Sequence, residues 1–116
     1  MRDTFFNAYV ECAVWASNDE EGNSLDGVDA TLTESALERM EKDCDAFRVK
    51  AGKLLARGGW DDEQAGHDFW LTRNHHGAGF WDRDIGTKAN RDKLTEVAHS
   101  FGECNLTVEG GKIYAE

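Results

Sequence analysis

Apolar residues recur every three or four positions near the start of the chain, and this spacing predicts an amphipathic helix over residues 4–17. Asp3 or Thr4 is a suitable N-cap for this helix. Its apolar positions are Phe6, Tyr9, Val10, Ala13 and Val14. Residues 18–30 follow without any such period and are polar, acidic and rich in turn formers, so they are predicted to form a loop.

The clearest periodic segment predicts a long amphipathic helix over residues 32–57. Its apolar positions are Leu37, Met40, Cys44, Phe47, Ala51 and Leu54. Thr31 and Glu34 stand at capping-box spacing at its beginning, and Gly58 and Gly59 supply a left-handed stop at its end. The acidic residues of this segment fall largely outside the apolar stripe.

The C-terminal half alternates helical and strand-like patterns. It predicts a short helix over 61–67, a β-hairpin over 69–81, a helix over 87–101 and a second hairpin over 105–114. This order predicts an α+β fold in which helices pack on a small antiparallel sheet made of two β-hairpins. We expect one domain over residues 1–116, with an acidic helical part (1–57) and a hairpin–helix–hairpin part (60–116).

The 116 residues carry 13 basic and 23 acidic side chains, a net charge of −10. Residues 1–45 contain 12 acidic and 3 basic side chains, a balance of −9, and the remainder contains 11 and 10, a balance of −1. This charge argues against direct nucleic-acid binding and against attraction to anionic membranes. No apolar run is long enough to cross a bilayer. The early acidic residue argues against a secretory signal, and three widely spaced cysteines indicate reduced thiols, so we expect a cytoplasmic protein.

The N-terminal acidity has two interpretations. It is either a solvated face that keeps the protein soluble or a surface that presents carboxylates to a basic partner. On the second interpretation, the candidate partner-binding residues are Asp19, Glu20, Glu21, Asp26, Asp29, Glu34, Glu38, Glu41 and Asp45.

A second candidate surface lies in residues 66–83, which contain two Phe-Trp dipeptides and two arginines. Neighbouring residues of a strand face opposite sides, so one aromatic set of the predicted hairpin would fill the core and the other would face outward. This segment is therefore either a core hairpin or an interface with Trp70, Arg73 and Trp81 as binding residues.

Chemistry is only weakly indicated. His67, His75, His76 and Asp68 are candidate ligands of a small metal-dependent enzyme, but the spacing of established zinc motifs is absent. No nucleophile elbow or phosphate-binding loop occurs either. We therefore expect no enzyme activity, no cofactor and no bound metal, and we assign no catalytic residue.

The run from Gly66 to Arg83 resembles a motif of small acidic proteins common in phage and prophage genomes. The resemblance extends to residues 100–103 and 110–114 and, more loosely, to residues 5–11. It implies a phage or mobile-element origin and action in a bacterial cell. Small acidic phage proteins of this length often resemble inhibitors of host defence, such as anti-CRISPR and anti-restriction proteins. Together with the charge of −9 over residues 1–45, the resemblance leads us to expect a non-enzymatic inhibitor whose acidic surface mimics nucleic acid on a basic host protein or ribonucleoprotein complex.

Overall fold

The computed structural model describes all 116 residues and has an α+β fold, with four helices packed on a small three-stranded mixed sheet. The helices are α1 (Thr4–Ala16), α2 (Glu34–Gly58), α3 (Asp62–Arg73) and α4 (Lys88–His99). The strands are β1 (Thr31–Leu32), β2 (Leu106–Glu109) and β3 (Lys112–Ala115). Short 3-10 turns occur at Leu25–Gly27 and Phe80–Asp82. No helix is both long enough and apolar enough to cross a membrane.

The predicted helices α1, α2 and α4 are confirmed to within a few residues. Asp3 caps α1 by accepting a hydrogen bond from the Phe6 amide, and Gly59 ends α2 at a φ of +77°. The predicted capping box of α2 is wrong. The N-cap is Thr33, whose hydroxyl accepts from the Ala36 amide at 3.0 Å, while Thr31 pairs with Lys112 in the sheet.

The apolar stripe of α2 is also slightly different from the prediction. Met40, Cys44, Phe47 and Ala51 are buried as expected, but Leu37 and Leu54 are only half-buried. The buried positions at the two ends of the helix are Ala36 and Leu55.

The sheet contains one of the two predicted hairpins. Strands β2 and β3 pair antiparallel with Val108 opposite Ile113, and the third strand, β1, pairs in parallel with β3. The predicted hairpin over 69–81 is wrong, because α3 continues through Arg73 and Phe80–Asp82 forms a 3-10 turn. Residues 68–73 of α3 are all buried, and a short run that is buried all round does not distinguish a helix from a strand.

Aromatic rings join the helices in one core. The Phe47 ring of α2 stacks on Phe69 of α3 with 4.1 Å between centroids and on Phe80 with 5.7 Å. Helices α1 and α3 make the closest approach, because a Cβ atom at Gly66 would lie only 2.2 Å from the carbonyl oxygen of Phe5. Glycine at this position therefore sets the spacing of the two helices.

Candidate functional site

Two of the three aromatic-segment residues predicted to bind a partner are buried. Trp70 is 2% exposed and Arg73 is 1% exposed, so neither side chain can contact a partner in this fold. They are buried because the segment forms a helix in the middle of the molecule and not an open-faced hairpin. Trp81 is 47% exposed and remains at the surface.

Arg73 connects four parts of the chain. Its guanidinium donates hydrogen bonds to the Tyr9 hydroxyl at 3.0 Å, to Asp43 at 2.8 Å and to the carbonyl oxygens of Phe101 and Gly102 at 3.1 and 2.9 Å. A guanidinium has five N–H donors, so a single side chain can satisfy all these acceptors. Arg73 therefore has a structural role in joining α1, α2 and the end of α4 to α3.

A second ion pair, between Asp68 and Arg83, joins the last part of α3 to the segment that follows it. Asp68 is fully buried, and Arg83 donates to its two oxygens at 2.8 and 3.1 Å. Burial by itself raises the pKa of Asp68, but hydrogen bonds from His67, Arg83 and Gln64 bring it below its usual value. This pair fixes the chain after α3 against the helix, so the run from Gly66 to Arg83 contributes to the stability of the fold.

The predicted metal ligands are not brought together. His75 stacks on His99 with 4.4 Å between ring centroids. His67 lies beside Asp68, but the carboxylate of Asp68 is already ion-paired with Arg83. No group of three or more His, Cys, Asp or Glu side chains has an arrangement that could hold a metal ion. The candidate ligands named from the sequence therefore do not form such a group.

The predicted acidic surface is divided into two parts. On α2, Arg2 forms ion pairs with Glu34 and Glu41, and the N-terminal ammonium contacts Glu41 at 3.0 Å and Asp45 at 2.7 Å. Hydrogen bonds from this ammonium hold the pKa of Glu41 below its usual value. Three of the four predicted α2 carboxylates are therefore internally paired.

The second part is the loop that follows α1, and its carboxylates form no ion pairs. They are Asp19, Glu20, Glu21, Asp26 and Asp29. Asp19 shapes the loop, since it accepts from the amides of Glu21 and Asn23 at 3.0 and 2.9 Å. The buried Leu25 and a 2.9 Å hydrogen bond from its amide to the Ser17 carbonyl hold the loop against the end of α1.

A groove of about 810 Å³ lies where this loop meets α1 and α3. We call it the acidic groove. Its lining includes Ala8, Cys12 and Trp15 of α1 and four carboxylates, Glu11, Asp26, Asp61 and Glu63. None of these carboxylates takes part in an ion pair. His67 and Arg83 also line the groove, and the guanidinium of Arg83 is engaged by Asp68.

Of the residues that line the groove, the sequence analysis named Asp26 as a partner-binding residue and His67 as a candidate metal ligand. Trp15 is 64% exposed and shares a helix face with Glu11, which precedes it by one turn. Its position outside the predicted apolar stripe of α1 was an available signal. The contribution of α3 to the groove could not be found in the same way, because it depends on how α3 packs beside α1.

No protein-family model matches the chain, and searches of curated proteins and of solved structures also found no match. The resemblance to small acidic phage proteins is therefore still a prediction. In this structure Asp68, Arg73 and Arg83 of that run take part in ion pairs that stabilise the fold, and the acidic groove is the candidate site that the geometry defines.

Proposed function

We propose that this protein is a non-enzymatic binding protein that occupies a basic, nucleic-acid-binding surface of another protein or of a ribonucleoprotein complex. The observation that carries the proposal is a set of eight carboxylates without ion pairs on the loop after α1 and in the adjoining acidic groove. The set consists of Glu11, Asp19, Glu20, Glu21, Asp26, Asp29, Asp61 and Glu63.

Unpaired carboxylates at this density repel phosphates and attract lysine and arginine side chains. A surface that evolved to bind a phosphate backbone is a row of such cations, so an acidic protein can compete with the nucleic acid for it. The phage-like motif adds the expectation that the partner is a bacterial defence complex, as for an anti-CRISPR protein.

Neutralising the loop tests this proposal. The loop variant changes Glu20→Gln, Glu21→Gln, Asp26→Asn and Asp29→Asn, and it keeps Asp19 because that side chain shapes the turn. The matched control removes four exposed carboxylates that lie outside the proposed surface and form no ion pair. They are Glu96, Glu103, Glu109 and Glu116.

The immobilised parent protein is expected to capture a nucleic-acid-binding complex from a bacterial lysate and to release it to high salt and to a short DNA duplex. The control should capture the same complex, and the loop variant should not. Equal capture by both variants, or capture that the duplex cannot displace, would contradict the proposal.

A further inference from the structure

The acidic groove combines two features that favour one kind of occupant. Its floor includes apolar surface from Ala8, Cys12 and Trp15, and Trp15 leaves 64% of its surface exposed beside the cavity. Tryptophan is more frequent at the centre of protein interfaces than on the rest of the protein surface. The volume of about 810 Å³ falls within the range of about 300–1,000 Å³ typical of ligand sites, so it accommodates several residues of a partner.

The negative charge of the groove favours a cationic occupant. Its four unpaired carboxylates come from three elements, with Glu11 on α1, Asp26 in the loop, and Asp61 and Glu63 at the beginning of α3. The nearby guanidinium of Arg83 offers no compensation, because Asp68 binds it through both oxygens. An anionic ligand would be repelled from this groove, and a cationic segment would be attracted.

The backbone at Trp15 is also held in place. The hydroxyl of Ser24 donates to the Trp15 carbonyl oxygen at 3.1 Å and thereby ties the loop to the last turn of α1. Glu11 lies one turn before Trp15 on the same helix face, where Cβ atoms are separated by about 5–6 Å. An aromatic face with a carboxylate at this spacing offers a planar cation both a surface to stack on and an anion to pair with.

We propose that the acidic groove is a docking site for an extended segment of the partner protein and that an arginine of that segment stacks on Trp15 and pairs with Glu11. The inference rests on the proposed function and specifies its contact. Arginine fits better than lysine, because its guanidinium is planar, weakly hydrated and able to bind a carboxylate through two N–H groups while it covers an aromatic ring.

The test uses two capped hexapeptides of equal charge, one alternating glycine with arginine and the other alternating glycine with lysine. Each is titrated at low ionic strength into the ¹⁵N-labelled full-length protein, and the indole N–H signals are followed by NMR. The arginine peptide should bind about two- to fivefold more tightly. It should shift the Trp15 signal, while the buried indoles of Trp60 and Trp70 stay in place.

Trp15→Ala should reduce the affinity for the arginine peptide to that for the lysine peptide, and Glu11→Gln should weaken binding of the arginine peptide. Trp81→Ala is the matched control, because Trp81 is exposed but does not line the groove. It should change neither affinity. Equal affinities for the two peptides in the parent protein, or an arginine preference that survives Trp15→Ala, would overturn the inference.

The loop variant separates this inference from the proposed function. If it loses the nucleic-acid-binding partner while Trp15→Ala leaves the arginine preference unchanged, the acidic surface functions as proposed and the docking contact is wrong. If the arginine preference depends on Trp15 but the loop variant captures the same partner as the parent, the docking contact is correct and competition through the loop is wrong.

Discussion

The close approach of α1 and α3 at Gly66 allows a sharp test of the packing that forms the acidic groove. In Gly66→Ala the new Cβ would lie 2.2 Å from the Phe5 carbonyl oxygen, 3.0 Å from the Phe5 carbonyl carbon and 3.3 Å from the Ala8 Cβ. Carbon–oxygen contacts in proteins are normally about 3.3–3.6 Å, so the overlap is about 1 Å. The two nearest atoms belong to the backbone of α1 and cannot rotate away, so the helices must separate.

The expected cost follows from two opposing terms. Overpacking of a well-packed interface costs about 1–3 kcal/mol, and a backbone clash belongs at the upper end of that range. Replacing glycine by alanine inside a helix recovers about 0.8–1.0 kcal/mol. We therefore expect Gly66→Ala to lower the free energy of unfolding by about 2 kcal/mol, or a larger amount if the helices cannot adjust.

Gly52→Ala is the matched control, because it makes the same change within α2 where no atom outside the neighbouring helix backbone lies within 4 Å of the new Cβ. It should raise the free energy of unfolding by up to about 1 kcal/mol. Urea unfolding followed by circular dichroism measures both values, with equal m-values required for the comparison. If Gly66→Ala is as stable as Gly52→Ala, the close contact of α1 and α3 is wrong, and so is the groove that it shapes.

Three further predictions concern the buried polar groups. Arg73→Met should lower the free energy of unfolding by about 3–5 kcal/mol in urea, because it leaves Asp43, the Tyr9 hydroxyl and two carbonyl oxygens without their donor. Asp43→Asn should cost less, because the asparagine oxygen can still accept from Arg73 and the other hydrogen bonds of the guanidinium are kept. The pKa of Asp68 is lower in the folded state than its ordinary value of 3.8. The ionised carboxylate therefore contributes fully to the free energy of unfolding above pH 3.8, and this contribution is lost as the pH falls through the pKa of the folded state. Below about pH 4, the free energy of unfolding should therefore decrease less steeply with falling pH in Asp68→Asn than in the parent protein. All three cysteines are buried, and burial raises the pKa of Cys12 to about 12, so a thiol reagent at pH 8 should modify them only after urea unfolding.

Local signals in the sequence were sufficient for much of the fold. Helices α1, α2 and α4 and the C-terminal hairpin are each specified by residues within a few positions of one another, through apolar periodicity, caps and glycine stops. The acidic character of the N-terminal half also follows from the sequence alone. These features need no knowledge of which segments meet in space.

The conformation of residues 69–81 was decided by tertiary structure. Phe69 to Arg73 has strand-forming content, but surrounding elements bury it on all sides and the helix that begins at Asp62 continues through it. Strand β1 is only two residues long and exists because β3 lies beside it in parallel. Neither outcome can be determined from local pattern, since each depends on partners far away in the sequence.

The candidate site depended on tertiary structure for the same reason. Arg2 and Glu34 are 32 positions apart in the sequence but form an ion pair, so Glu34 is not part of the free acidic surface that was predicted. The acidic groove gathers Glu11, Asp26 and Glu63 from three separate elements. The sequence determines how many charges and aromatic rings the chain carries, but ion pairing and exposure are properties of the distances between side chains, and only the packing of α1, α3 and the loop between α1 and α2 sets those distances.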